Sequence, residues 1–365
     1  MLYPVMPIFL KSIGFSIVLI GVLEGFAEAT AGLSKGYFGK LSDQSGKRVP
    51  FVQLGYALSA IAKPMMAIFV YPFWIFLART LDRLGKGVRT GARDAILSEE
   101  ATAKTKGKVF GFHRSMDTLG AVLGPLLALL YLQWHPQDYI SLFYIAFLPG
   151  LLAIVSTLLL KDRNKQTPKS GKVVSFFSFL RYWKDSPPAY RQVLLGLLAF
   201  ALVNSSDVFL LLKVKEAGIN DTQVIGIYIF YNLVFALAAL PLGILADKIG
   251  LKKIFIAGLI TFTLVYLGMG LTDNVYVFTS LFFLYGIYAA ATDGISKAWI
   301  SNLVQKADTA TAIGTYAALQ SVCALIASSF AGIIWYQFGA TSTFLFTALS
   351  TLIIVVYFLF RKLEC

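Results

Sequence analysis

The sequence predicts an all-α integral membrane protein built from two repeated bundles of six helices related by pseudo-two-fold symmetry. Three observations carry this reading. The first is composition: of 365 residues, 57% are hydrophobic and only 14% charged, with a mean hydropathy of +0.72, whereas an ordinary soluble domain is about a quarter charged. The second is the number of apolar stretches long enough to cross a bilayer, each needing about 20 residues. The third is an internal repeat. Gly39, Asp43, Gly46 and Arg48 recur as Gly243, Asp247, Gly250 and Lys252 at an offset of 204, and Ala95, Ser98 and Gly111 recur as Ala298, Ser301 and Gly314 at 203. Parallel six-helix repeats are one architecture of secondary transporters, with the substrate site near mid-membrane.

In chain order the expected spans are 16–38, 50–69, 73–97, 108–133, 140–160, 191–212, 223–245, 254–271, 275–300, 310–336 and 340–360. The opening "MLYPVMPIFL" is about half a span and lacks the basic region and cleavage site of a signal peptide. The second repeat opens with "RQVLLGLLAFALVNSSD" (191–207), whose counterpart would precede Met1. The first helix is therefore expected to be truncated by roughly 15–20 residues, leaving about 11.5 helices of 12. The expected organisation is a bundle over 1–160, a basic linker over 161–190 with three prolines, and a bundle over 191–365. Within the linker, 173–183 ("VVSFFSFLRYW") reads as a short amphipathic helix on the membrane surface.

The net charge is +13. Twenty of the 32 Lys and Arg residues fall on one side of the spans, at 40–48, 104–108, 161–191, 248–253, 306 and 361–362, against three on the other (Lys11, Lys213, Lys215). Cytoplasmic loops carry the Lys/Arg excess, so 39–48 is assigned to the cytoplasm and the charge to topology rather than to nucleic-acid binding. The two cysteines, Cys323 and Cys365, form no CxxC pair, and two histidines make no metal site. The sequence has no GxxxxGK[ST] motif, which leaves an ion gradient as the drive; no cofactor is expected.

Three motifs can be placed on this frame. They are GxxxDxxGxR at 39–48 with its echo at 243–252, "RLGKGVR" at 83–89, and "GAVLGPLLA" at 120–128. Together they resemble the major facilitator superfamily over the whole chain, the last motif being similar to a pattern best known from its exporters. Departures are Gln44, where the family carries a basic residue after the loop Asp, and Ala128, where it ends in Gly. Gly39 removes a side chain where helices approach closely, and Gly46 permits positive φ. The resemblance implies that Asp43 meets the positive end of a helix dipole in the opposite half. It also implies that Gly39, Asp43, Gly46 and Arg48, with Gly243, Asp247, Gly250 and Lys252, latch the cytoplasmic side. A solvated turn is the alternative.

The segment "RTLDRLGKGVRTGARDA" (79–95) is polar enough to read as a loop, but its repeat partner is plainly a membrane helix. Arg79, Arg83, Lys86, Arg89 or Thr90, and Arg93 then form one stripe, with Asp82 beside it. Charges at membrane depth cost a few kcal/mol unless paired or hydrated, so they face the interior. Arg83 and Lys86, assisted by Arg79, are candidates for an anionic substrate group. Arg89, Arg93 and Asp94 are candidates for a gate, pairing with Asp43, His113 or Asp117. The alternative is that the whole stripe is gate. Proton-coupling candidates are Glu24 and Glu28, one turn apart, Asp82, and Asp117 four residues after His113. Asp207 and Asn204 lie at substrate-site depth in 191–212, and Asp293 shares a face with Lys297. Each acid has the alternative of simple pairing with a base such as Lys35, Lys63 or Arg114. Gly120 and Gly124 are expected to let 108–133 pack closely and Pro125 to kink it. Phe209, Tyr228, Tyr231, Tyr285, Tyr288 and Trp299 either line a cavity or pack.

The expected function is secondary transport of a small organic solute by alternating access. The leading form is proton-coupled export of an anionic or amphipathic compound by a monomer in the bacterial cytoplasmic membrane. Proton-driven uptake of an organic anion is the rival within that class. Outside it stand a membrane enzyme using His113 and Asp117, which lacks a nucleophile or metal cluster, and a non-transporting receptor or scaffold on the same fold.

Overall fold

The computed structural model describes residues 6–162 and 175–361. Residues 163–174 of the basic linker and Cys365 lie outside the described residues. The helices are α1 (Met6–Ser12), α2 (Ile17–Ser45), α3 (Val49–Ile68), α4 (Pro72–Glu99), α5 (Lys106–Trp134), α6 (Tyr139–Leu158), α7 (Tyr182–Asp185), α8 (Pro188–Ala201), α9 (Val208–Glu216), α10 (Asp221–Ile249), α11 (Leu251–Leu271), α12 (Val275–Asn302) and α13 (Thr309–Phe360). Described residues include no strand. Seven of these helices are apolar and long enough to span a membrane by composition alone. The charged α4 is continuous over 28 residues.

Local chemistry sets the ends. Ser16 accepts from Leu19 N at 3.2 Å, Asp138 from Ser141 N at 3.2 Å, Asn220 from Gln223 N at 2.9 Å and Asn274 from Tyr276 N at 2.9 Å. These are N-caps that satisfy otherwise orphaned donors. Gly46 ends α2 at φ 66°, and Gly339, at φ 82°, breaks α13 between the two expected spans.

The structure corrects three element boundaries. Residues 39–45 are helix rather than turn, because α2 runs to Ser45 and only Gly46 takes the left-handed conformation. The expected span 191–212 is broken over 202–207 between α8 and α9. Asn204, Ser205, Ser206 and Asp207 compete with the backbone for hydrogen bonds there; Ser206 N is taken by Ser328 Oγ at 3.1 Å. The described part of the expected surface helix is a 3-10 turn (Ser178–Arg181) followed by the single turn α7. Within it Phe179 is 1% exposed and its ring sits on Gly36, and Lys40 Nζ donates to Ser178 O at 2.6 Å, while Phe177 and Leu180 are exposed.

Two compact units emerge. The first gathers the described residues of Met1–Ile96, Leu123–Asp185 and Gln305–Ser321, and the second those of Leu97–Val122, Ser186–Val304 and Val322–Cys365. The first has a core that includes Phe9, Leu10, Leu23, Ala62, Ile75 and Phe143. In the second, Trp299 packs with Phe255 and Phe358, and Phe262 stacks on Tyr266 at 4.1 Å.

Candidate functional site

The repeated motif builds the same device once in each unit. In the first, Asp43 on the last turns of α2 accepts from Thr311 N (2.6 Å), Thr311 Oγ1 (2.7 Å) and Ala310 N (3.4 Å), the opening N–H groups of α13. These donors and the helix dipole both favour a carboxylate. Arg48 Nη1 pairs with Asp43 at 2.9 Å, and its Nη2 donates to Lys306 O at 2.8 Å. Both side chains are nearly sealed from solvent, at 2% and 6% exposure. In the second unit, Asp247 on α10 accepts from Gly107 N and Lys108 N, each at 2.7 Å, at the start of α5. Its repeat partner for Arg48, Lys252, instead reaches Arg361 O at 2.8 Å.

Glycine makes both approaches possible. A Cβ on Gly39 would strike Ala310 O and lie 3.5 Å from the Gly314 Cα; a Cβ on Gly243 would strike Gly107 O and lie 3.2 Å from the Gly111 Cα. The repeat pairs Gly111 with Gly314, and each faces the glycine of its own unit's motif. By contrast, a Cβ on Gly120 would meet nothing within 4 Å, so the close packing expected there is not seen. Gly250 takes φ 108° between α10 and α11.

The first unit also holds an ion network on α2, α3 and α4. Arg79 clamps Glu24 with two parallel bonds, Nε to Oε1 at 2.7 Å and Nη2 to Oε2 at 2.8 Å. Lys63 Nζ meets Asp82 Oδ1 at 2.5 Å, and Arg79 Nη1 lies 3.5 Å from Asp82 Oδ2. Arg83 Nη2 stands 3.0 Å from Glu28 Oε1 and 3.8 Å from Glu24. Yet Arg83 Nε and Nη2 are buried without a hydrogen bond of proper geometry. Of the stripe assigned to an anion, Arg79 is thus committed to Glu24, Arg83 is under-satisfied, and Lys86 is exposed. Arg89 bonds Ser59 Oγ at 2.7 Å and lies over the Tyr56 ring at 4.5 Å, and Arg93 reaches its neighbour Asp94 at 2.9 Å.

In the second unit Arg114 pairs with Asp117 at 2.8 Å and also with Asp293, on the same stretch of α5 as His113. Asp207, at the break before α9, accepts from Tyr231 Oη at 2.8 Å and from Tyr285 Oη at 2.6 Å. Asn204 Nδ2 donates to Tyr288 Oη at 3.0 Å. Tyr231, Tyr285, Tyr288 and Trp299 are all buried.

Sequence reasoning missed several partners. Asp162 accepts from Arg48 N and Val49 N at 2.9 and 3.0 Å and so caps α3. Thr311, Ser59 and Lys106, whose Nζ donates to Ser301 O at 2.6 Å, were not singled out. The one available signal was Thr311 lying 203 residues after Lys108 in the repeat.

The Major Facilitator Superfamily model matches this chain over residues 1–230 and 212–364. An uncharacterised MFS-type transporter of Methanocaldococcus jannaschii is 32% identical over 99% of this chain and 90% of its own length. A homologue of the multi-drug resistance efflux pump PmrA from Lactococcus lactis is 23% identical over 98% of this chain and 90% of its own. Among solved structures, the transporter FucP in its outward conformation matches with a TM-score of 0.79 at 12% identity, over 98% of this chain and 93% of that one; this supports the fold alone. With the family matched in both halves and the same capped, glycine-tight device in each unit, the chain belongs to the Major Facilitator Superfamily and is a multi-pass membrane transporter, not an enzyme.

Proposed function

We propose that the protein moves a small organic solute by alternating access and couples it to protons, exporting an anionic or amphipathic compound. The observation that carries this reading is the network around Arg83. A buried guanidinium whose Nε and Nη2 lack a well-formed hydrogen bond, at membrane depth, has donors to offer an anion. It stands beside two carboxylates, Glu24 and Glu28. Arg83 is the substrate contact in this reading, with Lys86 nearby on α4. Glu24 and Glu28 carry the coupling proton, with Asp82, Asp117 and His113 as further candidates. The Asp43 and Asp247 caps, with Gly39, Gly46, Arg48, Gly243, Gly250 and Lys252, are the contacts broken and remade in the cycle; Arg89, Arg93 and Asp94 support the first of them. Export is favoured by the 120–128 motif and by the similarity to the Lactococcus efflux pump homologue. The same reading puts a monomer in a bacterial cytoplasmic membrane.

One observation favours the second reading, proton-driven uptake of an organic anion. Glu28 and a substrate anion would compete for Arg83, so a proton on Glu28 and an anion on Arg83 bind together.

Proteoliposomes containing a pH dye, screened against a panel of organic acids, test both readings. Solute-driven proton movement opposite to the solute is the expected result, and movement in the same direction selects uptake. Arg83→Gln should abolish anion-dependent flux, a loss of at least about tenfold for one charge-assisted contact, with folding intact. Glu24→Gln should leave solute exchange running while flux stops responding to an imposed pH gradient. Unchanged affinity in the first variant, or unchanged pH response in the second, removes that residue from the mechanism.

A further inference from the structure

We propose that residues 176–185, the described end of the linker, form a strap that holds α2 against the start of α13, and that the Phe179 ring must leave its seat on Gly36 before those two helices part. The proposal rests on the alternating-access reading only for the moment at which the strap lets go; the strap itself is a separate claim.

The seat lies on the seam between the two helices. A Cβ on Gly314 of α13 would strike Lys35 O of α2 and lie 3.4 Å from the Gly36 Cα, so the two backbones run close at that level. A Cβ on Gly36 itself would meet three atoms of the Phe179 ring, at 2.6, 2.7 and 2.8 Å. The missing side chain is thus the notch that the ring fills, and Phe179 is 1% exposed there.

The main chain of the strap is held from both sides. Lys40 Nζ on α2 donates to Ser178 O at 2.6 Å, and Thr315 Oγ1 on α13 donates to the next carbonyl, Phe179 O, at 3.4 Å. Phe176 adds a ring contact with Tyr37 of α2, at 5.2 Å between centroids. Tyr182 is buried, and its phenol is raised above the usual range by that burial and by the carboxylates of Asp308, Asp43 and Asp185, so the strap reaches the Asp43 cap. A segment that touches two helices at once is fully bound only while both are in reach. It therefore biases the pair toward contact by the difference in its binding to the two states.

The sequence also supplies a means of release. Only Ser186 and Pro187 separate α7 from α8, and Pro187 and Pro188 have fixed φ. A displacement of α8 is passed to the strap rather than absorbed by slack. Docking is intramolecular, so a strap once pulled away returns at high effective concentration.

The test uses the full chain in lipid nanodiscs, with Cys323→Ser and Cys365→Ser, and spin labels on Lys47→Cys and Lys306→Cys. Both label positions are exposed, one just after α2 and one just before α13. Pulsed dipolar spectroscopy then counts the closed and parted populations. Phe179→Ala should raise the ratio of parted to closed by about tenfold or more, because losing a buried phenyl ring exceeds what one factor of ten requires. Phe179→Leu should stay near the wild type. Gly36→Ala keeps the ring but fills its seat; it should raise the ratio by a few-fold, and it reports on the strap if Phe179→Ala does not fold. Unchanged populations in Phe179→Ala, even with lowered thermal stability, make the ring a packing residue and overturn the proposal. So do unchanged populations in Gly36→Ala where only that variant folds. Distances that respond to Asp43→Asn but not to Phe179→Ala sink the strap and leave the latch. Distances that respond to Phe179→Ala, but in the wild type to no organic acid of the flux panel, leave the strap and sink the moving latch of the transport reading.

Discussion

Asp43→Ala should destabilise the first unit by about 3–5 kcal/mol, the range for breaking a buried ion pair from one side, and should stop transport. Asp43 serves three donors at the start of α13 and also neutralises Arg48. Its removal takes from the Arg48 guanidinium, at 6% side-chain exposure, the carboxylate that stands 2.9 Å away. Asp247→Ala is the matched comparison. Asp247 caps α5 through two backbone N–H groups but is only half-buried. Losing an N-cap of that kind costs about 1 kcal/mol. Thermal unfolding of both variants in the same detergent should therefore place Asp43→Ala well below Asp247→Ala. Asp43→Asn should fall between them, since its amide oxygen can keep one cap bond while the charge opposite Arg48 is lost. Equal shifts for the two alanine variants would mean that the Arg48 pair contributes nothing.

The asymmetry was half-legible in the sequence. The constant offset announced that Asp43 and Asp247 do the same job, and Arg48 against Lys252 showed that the jobs differ in the basic partner. What spacing could not show was burial: Arg48 turns inward to Asp43 while Lys252 reaches Arg361. The fold class was legible because bilayer thickness fixes span length and because α4, polar enough to pass for a loop, inherits its assignment from a greasier repeat partner. Helix ends were less legible. Gly39 and Asp43 read as turn residues, but tertiary neighbours hold them in α2, with Ala310 O packed on Gly39 and the N–H groups of Ala310 and Thr311 engaged by Asp43. The run Asn204 to Asp207 gave the opposite error, an interruption hidden inside an apolar stretch. Partner choice was least legible. Lys63 and Asp82 are on different helices, and no spacing rule within one helix brings them to 2.5 Å.

Gly39→Val should be nearly as damaging as Asp43→Ala, for a steric reason rather than an electrostatic one. Inserting side-chain carbons into a packed interior costs about 1–3 kcal/mol when neighbouring side chains can yield. At Gly39 the obstacle is backbone: the new Cβ meets Ala310 O, and the approach is close enough on the α4 side that a Cβ built on Gly91 would lie 3.0 Å from the Gly39 Cα. Backbone atoms of α13 move only if the helix moves, and α13 is held at that level by the Asp43 cap. The substitution therefore separates α2 from the start of α13 and weakens the cap with it, so its cost should reach or exceed the top of that range. Gly120→Ala supplies the contrast, because its Cβ meets no atom within 4 Å; removing a mid-helix glycine should there raise stability by up to about 1 kcal/mol. Opposite signs for the two glycines in thermal unfolding are the expected result. A Gly39→Val protein as stable as the wild type would show that the glycine of the repeated motif is not there for close approach, and the packing account of both units would go with it.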